Sequence, residues 1–165
     1  MSTPHHDRTK LVLKRQYHAA LAMLRDGVSK CSDDVWTTAA PHAPWQLAYH
    51  ATFFAHFYAC RDESSLEPWR LHRRAALAIG SPDAGPPYSR AEVLEYLDWV
   101  ISWIDGAVDA MDLDQEDCGF PWYPIGKLEH QLVNIRHIQH HAAQLATRVR
   151  QDLGLGVDWV GTRKH

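Results

Sequence analysis

From Leu128 to Arg150 the chain reads LEHQLVNIRHIQHHAAQLATRVR, with no proline or glycine to interrupt it. Residues that tolerate a helix predominate. Leu128, Leu132, Ile135, Ile138, Ala142, Leu145 and Val149 recur at spacings of three and four, the period of a helix with one apolar stripe. The spacing predicts a helix over about residues 125–152, and such a stripe must be buried against other elements. Four histidines share the segment: His130, His137, His140 and His141. His137 and His141 are four apart, so their Cβ atoms stack on one helix face, about 5–6 Å from each other. Both imidazoles can therefore reach one metal ion. Asn134 and His130 carry the same polar line one and two turns back.

That pair alone is a weak signal. Twelve histidines in this chain give about one such spacing by chance, so two half-buried or surface histidines on a helix explain it as well. A site needs a third ligand and an apolar setting from elsewhere.

The rest of the sequence supplies three more helices. Asp7 to about Val28 carries the stripe Leu13, Tyr17, Leu21, Leu24 and Val28, with His18 at its surface or core edge. Cys31 to Ala43 reads as a loop, with Val35 and Trp36 closing one end of the core. Pro44 suits the first turn of a second helix, where its missing N–H costs nothing. That helix, PWQLAYHATFFAHFYACR to about Arg61, is apolar on nearly every side and should be the most buried. His50 shares a face with Leu47, Phe54 and Phe57; His56 shares the next with Tyr49 and Phe53. A histidine among phenylalanines costs free energy unless its nitrogens find partners. His50 is thus either hydrogen-bonded in the core or bound to something, while His56 reads as a satisfied core residue.

Residues 62–88 hold no long periodic stretch, although Arg70 to Ile79 is long enough for a short helix. So long a connection suggests a crossover. Ser89 and Glu92 then form a capping box before a stripe of Val93, Leu97, Val100, Ile101, Ile104, Val108 and Met111, giving a third helix over about 89–112. The aromatic loop GFPWYP (119–124) reads as a cap on the helices, with the mouth of a cavity as the other option. Gly154 and Gly156 end the fourth helix. The expectation is one all-α domain spanning 1–165: a four-helix bundle with helices at about 7–28, 44–61, 89–112 and 125–152 and a long crossover between helices 2 and 3.

Composition excludes several function classes. A net charge of −3 argues against a general binder of nucleic acid or anionic membrane, since both need a basic face. Cys31, Cys60 and Cys118 are widely spaced and odd in number, which disfavours a disulfide framework and points to a reducing cytoplasm. The segment MSTPHHDRTK lacks the apolar core of a signal peptide, and no apolar run is long enough to span a bilayer. Aromatic-rich surface segments leave a homodimer open.

If the faces of helices 2 and 4 meet, His50, His137 and His141 converge as three neutral imidazoles. Three protein ligands with a further position for water or substrate is the arrangement of a catalytic zinc site. Imidazole also suits nickel, iron and copper, so the ligands do not fix the metal. No carboxylate completes a non-haem iron triad, no Glu-x-x-His pairs suggest a di-iron bundle, and Ile138, Gln139 and His140 stand where a metalloprotease would place its glutamate.

The pieces PWQLAYHATFF and NIRHIQHHAAQL, in that order and at that separation, resemble the DinB/YfiT-like superfamily of bacterial four-helix proteins, and the resemblance covers nearly the whole chain. The family pattern is a single His followed far downstream by H-x-x-x-H and a Gln; His50, His137, His141 and Gln144 fall on those positions. Ala143 stands where many members have glycine. The neighbouring His140 leaves a three-residue spacing from His137 sterically open, although the four-residue spacing favours His141. The resemblance implies a divalent ion, zinc or nickel most often, held by His50, His137 and His141. It also implies a thiol-S-transferase or hydrolase, with a low-molecular-weight thiol as co-substrate in the first case and a metal-activated thiol or water acting on a small molecule. His130 and Asn134 would orient substrate or act as acid–base groups, or else serve packing. The alternative is a non-enzymatic, stress-related bundle that binds metal or ligand without chemistry.

Overall fold

The computed structural model describes residues 4–38 and 42–163, and among them it is all-helical, without strands. Residues 39–41 of the expected first loop, and both chain ends of the expected domain, lie outside the described residues. The long helices are α1 (Pro4–Lys30), α3 (Pro44–Ala59), α4 (Arg90–Ala110) and α5 (Lys127–Leu153), with a single-turn α2 (Asp33–Trp36) between the first two. Within the expected first loop, α2 is thus an added element. Its Trp36 is buried and donates its indole N–H to the Tyr88 carbonyl, closing one end of the core as expected. The short helix anticipated over Arg70 to Ile79 is a 3-10 turn, Arg74–Leu77.

Local chemistry explains the helix ends. Ser89 and Glu92 form a reciprocal capping box that satisfies two otherwise orphaned N–H groups of α4. Gly154 ends α5 in the left-handed conformation, φ 67°, which costs glycine no Cβ clash. α3 starts at Pro44 without a side-chain cap and is buried along nearly its whole length.

α1 packs chiefly on α4 and α5, and α3 does the same from its own side. Tyr17, Leu21, Leu24 and Val28 of α1, Ala48, Tyr49 and Ala55 of α3, Val93, Leu97 and Ile104 of α4, and Ile138 and Leu145 of α5 form one continuous core. At about 25 cal/mol per Å² of apolar surface, burying such a core is the main force that holds the helices together.

One expected face is wrong. The predicted stripe of α5 began with Leu128 and Leu132, yet both are exposed. The buried face of its first half is polar instead: Lys127, His130, Gln131 and Asn134. The reason lies around the end of α3, where carbonyls of its last turns, of the residues just after it and of the loop before α5 need donors. Lys127 Nζ donates to the carbonyls of Cys60, Arg61 and Cys118. Gln131 Nε2 donates to the Tyr58 carbonyl, and Asn134 Nδ2 to the Ala55 carbonyl. Tyr17 joins the seam by donating to Gln131 Oε1 and receiving from Asn134. Partners for buried backbone outweigh the burial of two leucines, because an orphaned buried carbonyl costs about 1–3 kcal/mol.

Candidate metal centre

α3 and α5 meet along one seam, and one turn past its polar half three imidazoles come together. His50 of α3 and His137 and His141 of α5 each offer a ring nitrogen, all within 4.8 Å of one another. His137 Nε2 lies 3.1 Å from His50 Nε2 and 3.1 Å from His141 Nε2. Nitrogens bound tetrahedrally at 2.0–2.1 Å to one zinc ion stand about 3.3 Å apart, close to this spacing.

The outer nitrogens decide what the inner ones can do. His50 Nδ1 donates to the Leu77 carbonyl at 2.8 Å, since a carbonyl only accepts. His141 Nδ1 lies 2.7 Å from Gln144 Oε1 and donates to it in the same way. With the proton of each neutral ring on Nδ1, both Nε2 atoms present lone pairs inward. His137 Nε2 has at most one proton to offer to two facing lone pairs, and its own Nδ1 is buried without a protein partner. Lone pairs turned at each other attract a cation. The partner on the second nitrogen is also what ordinarily orients a histidine ligand.

Electrostatics keep the rings in the ligating form. Burial, then the neighbouring His141 and His50, push the His137 pKa down to about 3. Burial and His50 take His141 to about 4. His50 is likewise lowered by burial, against the opposing pull of its bond to Leu77. Neutral imidazole is the form that binds metal. The residues present thus fit a divalent ion, and three of the four members of the expected His–His–His–Gln pattern contact one another directly.

The connection between α3 and α4 holds its part of the site in place. Gln46, buried on α3, donates to the carbonyls of Ala76 and Ala78 and accepts from the Gly80 N–H. That clamp lays the 3-10 turn over α3 and brings the Leu77 carbonyl to His50. Gln46 carried no recognisable motif; a buried glutamine in a helix that is otherwise apolar was the available signal.

The remaining histidines divide by environment. His140 is exposed beside His141 and outside the trio, so the four-residue spacing is the one that converges. His56 is buried against Trp99 and Trp103 and hydrogen-bonded to the Tyr96 hydroxyl, the satisfied core residue expected. His18 sits at the core edge, 2.9 Å from Asp105. His130 and Asn134 are fully buried and outside the three-nitrogen group. Asn134 is engaged with Tyr17 and Ala55, whereas His130 is boxed by Tyr58, Phe120 and Tyr123 with both ring nitrogens unpartnered.

A cavity of about 650 Å³ lies beyond Phe54 and Leu77, which separate it from the three histidines. Phe54, whose ring lies 4.7 Å from that of His50 and 5.3 Å from that of His137, lines it, as does Leu77. The aromatic loop after α4 serves both expected purposes. Phe120 is buried as a cap on Tyr58 and Phe57, while Trp122 lines the cavity. Cys31, Cys60 and Cys118 are free and buried. No helix among the described residues is long and apolar enough to cross a membrane.

Compared with known proteins, the chain matches no family model, no curated protein and no solved structure. Function is therefore read from the three histidines themselves.

Proposed function

We propose that the chain is a DinB/YfiT-type four-helix bundle, with residues 60–89 as the crossover, that holds zinc or nickel and acts as a thiol-S-transferase or hydrolase on a small molecule. The observation that carries this reading is the convergence of His50, His137 and His141 through Nε2, with the tautomers of two rings set by Leu77 and Gln144. His50, His137 and His141 would hold such an ion, which would supply the Lewis acidity that makes water or a thiol nucleophilic at neutral pH.

The protein's own residues do the rest. His50, His137 and His141 supply three neutral donors and leave the remaining directions to water, thiol or substrate. The Leu77 carbonyl and Gln144 hold two rings in orientation. Phe54 covers the side of His50 and His137 that faces the cavity and limits the approach of bulk water. His130 and Asn134 serve the seam in this reading, His130 by packing on Tyr58 and Asn134 by bonding the Ala55 carbonyl.

The test is a thiol-conjugation and ester-hydrolysis screen on untagged protein, with bacillithiol, mycothiol and glutathione as thiols, before and after chelation. Turnover that needs one bound ion per chain and disappears in His141→Ala is the expected result. Turnover that survives chelation or the substitution would refute the metal-dependent enzyme. Stoichiometric zinc without any turnover would favour the non-enzymatic metal-binding bundle.

A further inference from the structure

We infer that the cavity on the far side of Phe54 and Leu77 from the three histidines takes a small aromatic carboxylate, its acid group held by Arg74 and His72 and its body laid toward Phe54. This substrate class rests on the metal-dependent reading above and narrows it. The volume of about 650 Å³ suits a small organic molecule. The walls are mostly aromatic: Phe53, Phe54 and Phe57 from α3 and Trp122 from the loop before α5. Trp122 stands half exposed at 6.2 Å from the Phe57 ring, a face on which a flat group can stack.

The polar groups are few and unevenly placed, which is what gives such a cavity a preference. Four arginines lie in the connection between α3 and α4, and Arg61 is paired with Asp62. Arg70 is paired with Glu95, and Arg73 donates to the Pro86 carbonyl while lying over the Tyr88 ring. Arg74 lines the cavity and has no carboxylate partner among the described residues. His72, two residues earlier, has Nδ1 taken by the Tyr49 hydroxyl at 2.7 Å and its ring stacked on Phe53, so Nε2 is the polar edge left for a ligand. An exposed guanidinium and an imidazole edge on one lining suit a carboxylate. Glu63 is the one carboxylate on the lining, and it repels an anion, so the acid group belongs at the Arg74–His72 end. The body then extends across the phenylalanines toward Phe54 and Leu77, the two lining residues that also touch His50.

The experiment is isothermal titration of the zinc-loaded full chain with 3-phenylpropionate, its amide and 3-phenylpropylamine, alongside zinc stoichiometry on each sample. The acid should bind about tenfold more tightly than the amide, the worth of one charge-assisted contact, and the amine more weakly still. Arg74→Gln should bring the acid down to the amide with zinc still bound, and Glu63→Gln should tighten the acid severalfold. An amide or amine that binds as well as the acid overturns the assignment. So does an acid affinity unchanged in Arg74→Gln, which would place the carboxylate on the metal alone. Failure to load zinc refutes the metal reading, and this inference with it; a loaded protein without acid preference refutes the substrate class only.

Discussion

The two halves of the buried face of α5 are both polar, yet they are polar to opposite ends. In the first half, Lys127, Gln131 and Asn134 spend their donors on carbonyls near and just beyond the C-terminal end of α3, on the Cys118 carbonyl and on Tyr17. In the second, His137 and His141 turn their Nε2 atoms toward His50 and one another. The contrast separates polar burial that finishes a fold from polar burial that leaves something to be bound. In the first case every donor meets an acceptor; in the second, lone pairs meet lone pairs. His130 belongs to neither group, since its nitrogens are unpartnered and its ring is held only by aromatic contacts.

The largest effect expected from breaking this contrast is on the ligating half. His141→Ala should reduce bound zinc from about one ion per chain to near none, because a tetrahedral site cannot close on two imidazoles. Elemental analysis of untagged protein reads the result. The stabilisation that zinc confers, about 2.7 kcal/mol at a hundredfold excess over Kd, should vanish with it.

Lys127→Met attacks the structural half. It keeps the apolar stem but leaves three carbonyls without their donor, so urea denaturation should show a loss of about 3 kcal/mol. Zinc stoichiometry should be unchanged. Equal damage to both properties would mean that the two halves are one unit.

Gln144→Ala sharpens the comparison within the site. Loss of the partner on His141 Nδ1 should weaken zinc binding about 10–100-fold, as removal of such orienting partners does. Competition against a chromophoric chelator gives the number, and an unchanged affinity would show that the helix alone orients the ring.

The smallest effect concerns acid. Burial first, then Lys127, lowers the His130 pKa to about 4, against about 6.5 in an unfolded chain. Between these values the unfolded state binds the extra proton, so stability falls as pH drops from about 6.5 toward 4 and is insensitive to this group above 6.5. His56, also lowered to about 4 by burial, acts in the same sense. His130→Phe should flatten part of that slope in denaturation curves at pH 7, 6 and 5 while leaving neutral-pH stability equal or higher. A slope unchanged from the parent would assign the acid sensitivity elsewhere.

Much of this was legible in the residues. Proline and glycine positions, the Ser89–Glu92 box and the three-and-four periodicity place the long helices within a few residues of their ends. His50, His137 and His141 stood out because imidazoles interrupt apolar faces at ligand spacing. What failed was the start of α5, where Leu128 and Leu132 continue a helical stripe but face outward. Periodicity counts apolar residues and takes no account of the orphaned carbonyls on a neighbouring helix. Gln46 and His72 were missed for a related reason: single polar residues show their purpose only through the atoms they meet.

The sequence by itself determined that the chain is helical, where its long helices begin and end to within a few residues, and which imidazoles can share a helix face, because these follow from backbone propensity and a 3.6-residue period. Tertiary structure alone decided that His50 meets the α5 pair, that a carbonyl and a glutamine fix the protons of two rings, and that half a helix buries its polar side. Those outcomes depend on which unsatisfied groups two distant segments bring to each other, a property of neither segment alone.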